Sequence, residues 1–308
     1  MLSDNLNKII ENIEKVIIGK TEIVKLLVVG LLTNGHILIE DVPGTGKTML
    51  ALALAKSIDA DFKRIQFTPD LMPSDVTGGS VYNPKKGEFD FKKGPVFTHI
   101  LLADEINRTT PRTQSALLEC MQEYKVSLDG ETFALPRPFM VVATQNPIEY
   151  QGTYPLPEAQ IDRFLMNINM GYLKPAEEIE VIIEQKLEHP VEKLQPVVKL
   201  EEVLKLQDEV KNIQVSDSVM RYIVNLVAAT RKKEELKLGA SPRASIALMK
   251  ASSAWALLEG RDFVIPDDVA RLLPWVLKHR LVLQAKAMVA DKTPEYVISG
   301  ILKDTPIP

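Results

Sequence analysis

Five short apolar runs, each too brief for a helix, are spaced along the first half of the chain. They are His36-Ile-Leu-Ile-Glu40, Phe62-Lys-Arg-Ile-Gln-Phe67, His99-Ile-Leu-Leu-Ala-Asp104, Phe139-Met-Val-Val-Ala-Thr144 and the weaker Phe164-Leu-Met-Asn-Ile168. Near-continuous apolar runs suit strands buried on both faces, and helical stretches between them imply parallel crossovers. The expected architecture is an α/β fold with a five-stranded, doubly wound parallel sheet. Beyond about residue 175 the period turns helical. Asp217 opens a helix with Val219, Ile223, Leu226 and Val227 on one side, and Ser241-Pro242 reads as a cap and first residue. The expected division is an α/β core over 1–172 and a small all-helical lid over 173–308. Two hairpins are expected inside the core, at about 81–97 with Lys86-Gly87 at the turn, and at about 126–135 with Asp129-Gly130.

Composition narrows the function. Of 308 residues, 45% are hydrophobic and 25% charged, and the net charge is −4, values of an ordinary soluble globular protein. Residues 1–170 carry 17 basic and 21 acidic groups, and residues 171–308 carry 20 of each. Neither part is a basic module, so a nucleic-acid coat is not expected. The single cysteine, Cys120, excludes an internal disulfide and points to a reducing, cytoplasmic setting. The apolar stretch Ile23–Leu32 contains Lys25 and is too short to span a bilayer. The N-terminal residues mix acids and bases and do not read as a secretory signal.

The first strand runs into Asp41-Val42-Pro43-Gly44-Thr45-Gly46-Lys47-Thr48 and a helix starting near Met49. A phosphate chain needs many backbone N–H donors with no side chain in the way, and Gly44 and Gly46 give that freedom. The helix N-terminus adds its positive dipole end. Lys47 can reach the β and γ phosphates, and Thr48 can offer its hydroxyl to Mg²⁺. Asp41 stands where the full motif has glycine. The third strand ends in Asp104-Glu105, at the sheet edge where ligands bind. Asp104 suits Mg²⁺, and Glu105 suits activation of a water against the γ-phosphate. Asn146, at the end of the fourth strand, can orient that water.

Together these segments resemble the MoxR family of AAA+ ATPases. The markers are Gly35–Thr48, Leu71-Met-Pro-Ser-Asp-Val-Thr-Gly78, Asp104-Glu-Ile-Asn-Arg-Thr109, Gln114-Ser-Ala-Leu-Leu-Glu119, Ala143-Thr-Gln-Asn-Pro147, Glu158-Ala-Gln-Ile-Asp-Arg-Phe164 and Ser241-Pro-Arg243, in the family's order. The resemblance implies ATP and Mg²⁺ as ligands. It places Val16, Ile17, Ile18 and Gly19 against adenine and Asn146 at the sensor 1 position. It makes Arg163 the arginine finger that reaches a neighbour's γ-phosphate, and Arg243 the sensor 2 residue. Arg108, just past the acidic pair, is a rival finger, and a salt bridge from Arg163 to Asp162 or Glu158 is its plain structural alternative. The resemblance further implies a homo-oligomer, a hexameric ring, acting on client or adaptor proteins, some with a von Willebrand factor type A domain. Two other classes stay open: a nucleic-acid-dependent motor, with Lys85, Lys86, Lys92 and Lys93 on the first hairpin, and a nucleotide-gated scaffold with little turnover.

Overall fold

The computed structural model describes residues 2–85, 87–128, 130–146, 152–184 and 189–308. Lys86 and Asp129, assigned to turns above, and Pro147, the last residue of the fifth marker, lie outside the described residues. Two helices come first, α1 (Leu2–Glu14) and α2 (Thr21–Leu32). α1 buries Leu6, Ile9, Ile10 and Ile13 on one face, while α2 is buried on nearly all sides. That is why a ten-residue apolar stretch here is a core helix.

β1 (Ile37–Glu40) follows, then α3 (Lys47–Ser57), β2 (Phe62–Gln66) and the short α4 (Pro73–Thr77). β3 (Gly78–Asn83) and β4 (Glu88–Lys93) form the first hairpin, β5 (Ile100–Asp104) returns to the sheet, and α5 (Pro111–Glu123) covers it. β6 (Lys125–Leu128) and β7 (Glu131–Ala134) form the second hairpin, before β8 (Met140–Gln145), the single-turn α6 (Glu158–Ile161) and β9 (Met166–Ile168). The first hairpin starts three residues before its expected onset because Gly78 and Gly79 carry no β-branched signal. Gly78 sits at φ +90°, where an added Cβ would collide with the backbone of Lys92 and Gly94.

All five sheet strands run parallel in the order β2-β5-β8-β1-β9. The chain leaves β1 for the far edge, returns strand by strand, then passes β1 to form β9. This reversal beside β1 makes a crevice at its carboxyl end, where ligands bind in such sheets. Alternate residues serve different cores. Ile37, Ile39, Ile100, Leu102, Met140 and Val142 join the cluster with α1, α2 and α3, whereas Leu38, Leu101, Ala103, Val141 and Ala143 join the one under α5.

After β9 come α7 (Pro175–Glu184), the short α8 (Pro190–Lys193), α9 (Leu200–Asn212) and α10 (Asp217–Thr230). β10 (Leu236–Leu238), α11 (Pro242–Leu258), α12 (Pro266–Leu277), β11 (Val282–Leu283), α13 (Ala285–Val289) and α14 (Pro294–Asp304) complete the chain. The lid is helical as expected, except that β10 and β11 pair as an antiparallel ribbon, too short to read from periodicity. Ser241 and Ser216 cap α11 and α10 through their hydroxyls. Its central helix, α11, packs on α2 and α9 and shares the apolar cluster of α1 and the sheet. Among the described residues no helix is long and apolar enough to cross a membrane.

His36 is buried at the foot of β1. Its Nδ1 accepts from the Val141 N–H at 3.0 Å, and its Nε2 lies 2.8 Å from the Met121 carbonyl, to which it therefore donates. Burial lowers its pKa to about 4 from the ordinary 6.5. A histidine held neutral in the fold stabilises fully above its unfolded pKa and progressively less as pH falls from 6.5 toward 4. Urea unfolding should show about 2 kcal/mol less stability at pH 5 than at pH 7.5 from this group alone. In His36→Gln that share of the acid sensitivity should be missing.

Candidate functional site

The phosphate loop owes its shape to two residues in the left-handed region. Gly44 and Gly46 have φ of +85° and +89°, a conformation any side chain would strain. Gly46 is also the N-cap of α3, so the loop leads directly into a helix N-terminus. Lys47 Nζ donates to the carbonyls of Asp41 and Val42 at 2.8 and 2.9 Å, folded back on its own loop. Burial lowers its pKa, against the raising influence of Asp41, Asp104 and Glu105. Asp41 itself is a brace. Its carboxylate accepts from the N–H of Val42 at 2.8 Å and of Gly171 at 2.6 Å, tying the loop to the segment after β9.

A cavity of about 450 Å³ opens above the loop. Pro43, Gly44, Gly46, Lys47, Thr48 and Met49 line one side, and Asp104, Glu105 and Asn146 the other. Thr45 sits between the two glycines of the same loop. The fold thus brings the phosphate loop, the acidic pair and the expected sensor asparagine into one cleft at the carboxyl edge of the sheet. Glu105 has φ +56° and ψ +50°, a backbone state costing a non-glycine residue about 1–3 kcal/mol and concentrated at functional sites. Thr144 holds it there. The Glu105 N–H donates to Thr144 Oγ1 at 2.8 Å, and that hydroxyl donates to Asp104 Oδ1 at 2.6 Å.

Two residues that motif reading passed over also reach the acidic pair. Arg64 donates to Asp104 Oδ2 at 3.1 and 2.6 Å, and to Gln66 at 2.8 Å. Gln66 Nε2 donates to Glu105 Oε2 at 2.8 Å. Arg108, the rival finger, lies 3.1 Å from the same oxygen of its own chain. The register pairs Gln66 with Asp104 across neighbouring strands, so strand order was the missing signal.

Val16–Gly19 follows α1 and does not line this cleft. Val16 and Ile17 pack with the main core. The segment is nevertheless linked to the loop, because Lys20 Nζ donates to the Tyr172 carbonyl at 2.8 Å, next to the Gly171 that Asp41 holds.

Arg163 and Arg243 are elsewhere. They line a second cavity, of about 260 Å³, together with Gly35, His36 and Lys250. Gly35 and His36 lead into β1, whereas the phosphate loop leaves it. The four residues of β1 at about 3.3 Å each separate the two cavities by about 13 Å, longer than an arginine side chain. Arg163 does not abut β9 as its position suggested: Phe164 and Leu165 intervene. One of its two alternative partners is also taken. Asp162 Oδ1 accepts from Arg280 Nε at 2.7 Å, and Asp162 Oδ2 accepts from the Ser241 hydroxyl at 2.9 Å. Arg280 further donates to the carbonyls of Phe164, Leu165 and Val276. Burial pulls the Arg280 pKa down and Asp162 offsets it. One carboxylate thereby sets the chain carrying Arg163 against the helix carrying Arg243.

Residues 36–166 match the family described as the ATPase family associated with various cellular activities (AAA), and residues 228–301 match the AAA lid domain. The fold is that of an AAA ATPase, with ATP as its substrate. Within that class the chain belongs to the MoxR family. It is 45% identical to Chaperone MoxR1 of Mycobacterium tuberculosis over 98% of this chain and 82% of that protein. It is 54% identical to the uncharacterized Bacillus subtilis protein YeaC, over 98% and 95%. A crystal structure of a candidate ATPase from Cytophaga hutchinsonii superposes with a TM-score of 0.93 at 41% identity, covering 100% of this chain and 96% of that one.

Removing Arg280 strands Asp162 in a largely buried place. Breaking such a pair costs about 3–5 kcal/mol. Chemical denaturation of Arg280→Ala should show a loss of that size, whereas Arg163→Ala should change stability by less than about 1 kcal/mol.

Proposed function

We propose that this ATPase hydrolyses ATP at a site built by two copies of the chain, and that the resulting domain movement remodels a partner protein. The observation that carries the two-copy site is the separation of the cavities. Lys47, Thr48, Asp104, Glu105 and Asn146 share one edge of the sheet, and Arg163 and Arg243 share the other. In a head-to-tail arrangement the second edge of one copy faces the first edge of the next, and such contacts form rings when the rotation between copies closes. A homo-oligomeric ring, hexameric by family resemblance, then gives every cleft its arginines. Sensor 2 is thus read as acting across the junction together with the finger.

In this reading the phosphate loop holds the β and γ phosphates on the amides of Gly44–Thr48 and the ammonium of Lys47. By family resemblance adenine lies beyond the phosphate cavity against Val16–Gly19, a segment linked to the loop through Lys20 and Tyr172. Thr48 and Asp104 offer a hydroxyl and a carboxylate in the same cavity, hard oxygen donors of the kind Mg²⁺ takes alongside phosphate and water. Asp104 Oδ2 already carries a cationic group, the Arg64 guanidinium, which supports that fit. When bound, Mg²⁺ neutralises charge on the β and γ phosphates. Glu105 takes a proton from a water placed with the help of Asn146. The water oxygen bonds to the γ-phosphorus as the bond to the bridging β–γ oxygen breaks, leaving ADP and phosphate. Arg163 and Arg243 of the next copy spread the charge that builds on the transferred group.

A chaperone role is supported by the relative named Chaperone MoxR1. The proposed clients or adaptors are proteins, including ones with a von Willebrand factor type A domain. Charge balance supports protein over nucleic acid, with 20 basic and 20 acidic groups in residues 171–308.

Glu105→Gln should keep ATP bound, measured by equilibrium dialysis with labelled nucleotide, and lower turnover by about 10²-fold or more. Unchanged turnover would remove Glu105 from the chemistry. Arg163→Ala alone should lose about 10³-fold in turnover, as should Lys47→Ala. Mixed together they should recover part of it, since some junctions then pair an intact loop with an intact arginine. Mixtures no better than either variant alone would show that the arginine does not act across copies.

A further inference from the structure

The helix α7 displays its apolar residues to solvent. Ile179, Ile182 and Ile183 are 59%, 66% and 64% exposed. Their i, i+3, i+4 spacing sets them on one face, flanked at about 100° on either side by Glu178 and Glu180. The opposite face, with Glu177 and Val181, is the partly buried one. Glu177 lies against Gly19. The segment leading into α7 is fastened to the phosphate loop through Gly171 and Asp41, so α7 begins at the nucleotide edge of the sheet, with an isoleucine face bordered by acids and turned away from its own chain. Its sequence PAEEIEVIIE contains four glutamates and no basic residue.

A matching surface lies at the other side of the same chain. A cavity of about 660 Å³ opens between the end of α2, α9 and α11. Leu204, Val210, Ile213 and Met249 make its floor, and Arg137, Lys211 and Lys250 stand at its edge. Lys211 pairs with Asp208, but among the described residues Arg137 and Lys250 pair with no carboxylate. Thr33, Asn34 and Lys250 line both this cavity and the one holding Arg163 and Arg243.

We propose that the isoleucine face of α7 in one copy docks into the apolar cavity between α2, α9 and α11 of the next copy. The inference rests on the two-copy catalytic site above. If the arginine edge of one copy meets the nucleotide edge of another, the surfaces adjoining those edges meet too. One is apolar with an acidic border and the other apolar with a basic border. Apolar area gives the affinity, and the opposed charges fix orientation and exclude an α7-to-α7 pairing. The contact is heterologous, so it builds a ring or a filament rather than a two-fold dimer.

Charge reversal tests it. Glu178→Lys/Glu180→Lys and, separately, Arg137→Glu/Lys211→Glu should each raise the concentration for half-assembly with ATP and Mg²⁺ at least tenfold by sedimentation velocity. Circular dichroism should be unchanged, since all four side chains are exposed. Mixing the two variants should restore assembly, because alternating copies present opposite charges at every junction. For a covalent readout, tagged Ile183→Cys and untagged Met249→Cys proteins under a mild oxidant should form a tagged-to-untagged disulfide, with none in either variant alone. Burial pushes the Cys120 thiol up to about 12, so it stays out of the exchange. Assembly insensitive to both reversals, reversals that fail to rescue each other, the absence of the cross-link, or a wild type that remains monomeric with ATP would each overturn the docking. Recovery of activity in the Arg163→Ala and Lys47→Ala mixture reads the catalytic junction by itself. Recovery without any effect of the reversals rejects the docking and leaves the shared site standing.

Discussion

A sheet of parallel strands has two chemically different edges. Every strand here ends at one edge and begins at the other. The ending edge collects the loop after β1, the acids after β5 and the amide after β8. The beginning edge collects the entries to β1 and β9, and with them Arg163. No adjustment of side-chain rotamers moves a group across the thickness of the sheet. A reaction that needs the loop and the arginines together must therefore bring two sheets into register, edge against opposite edge. In the proposed assembly, oligomerisation is a consequence of strand direction.

The edges are not left to float. Asp162 receives Arg280 and the cap of α11 at once, so a single carboxylate sets the distance between the segment carrying Arg163 and the helix carrying Arg243. Arg280 spends its remaining donors on carbonyls of the same entry segment. A buried pair of this kind gains little net energy over apolar packing, but its directionality fixes geometry. Asp41 does a similar job at the other edge, fastening the phosphate loop to the segment that leads toward α7. A glycine there could not, which gives the aspartate at that motif position a structural reason.

What the sequence made readable follows from which constraints are local. Gly44 and Gly46 were legible because a left-handed backbone admits few residues. The strands were legible because burial on both faces writes an unbroken apolar run. Glu105 was legible from its neighbour Asp104 and its place behind the loop. Residues that work through strand order or distant contact were not. Arg64 and Gln66 lie on an edge strand, where a polar side chain reads as a solvent-facing one, yet β2 lies beside β5 and both residues reach the acidic pair. Arg280 is 118 residues from Asp162, a separation no local pattern spans. The placement of Arg243 needed the packing of α11.

The three exposed isoleucines of α7 share one helical face, whereas α1 and α12 turn their apolar stripes inward: Leu6, Ile9 and Ile13 in α1, Leu272 and Val276 in α12. In α7 the sequence is also amphipathic, but the inward side carries Glu177 and the outward side carries isoleucine. Three clustered isoleucines facing water are a liability for a lone molecule. A neighbouring surface covering that face would supply contacts its own chain does not. The basic-rimmed cavity beside the arginine edge is apolar, borders the proposed junction, and exists once on every copy. Under the proposed assembly, the exposed face of α7 and the division of the proposed active residues between two edges have the same resolution, a neighbouring copy of the chain.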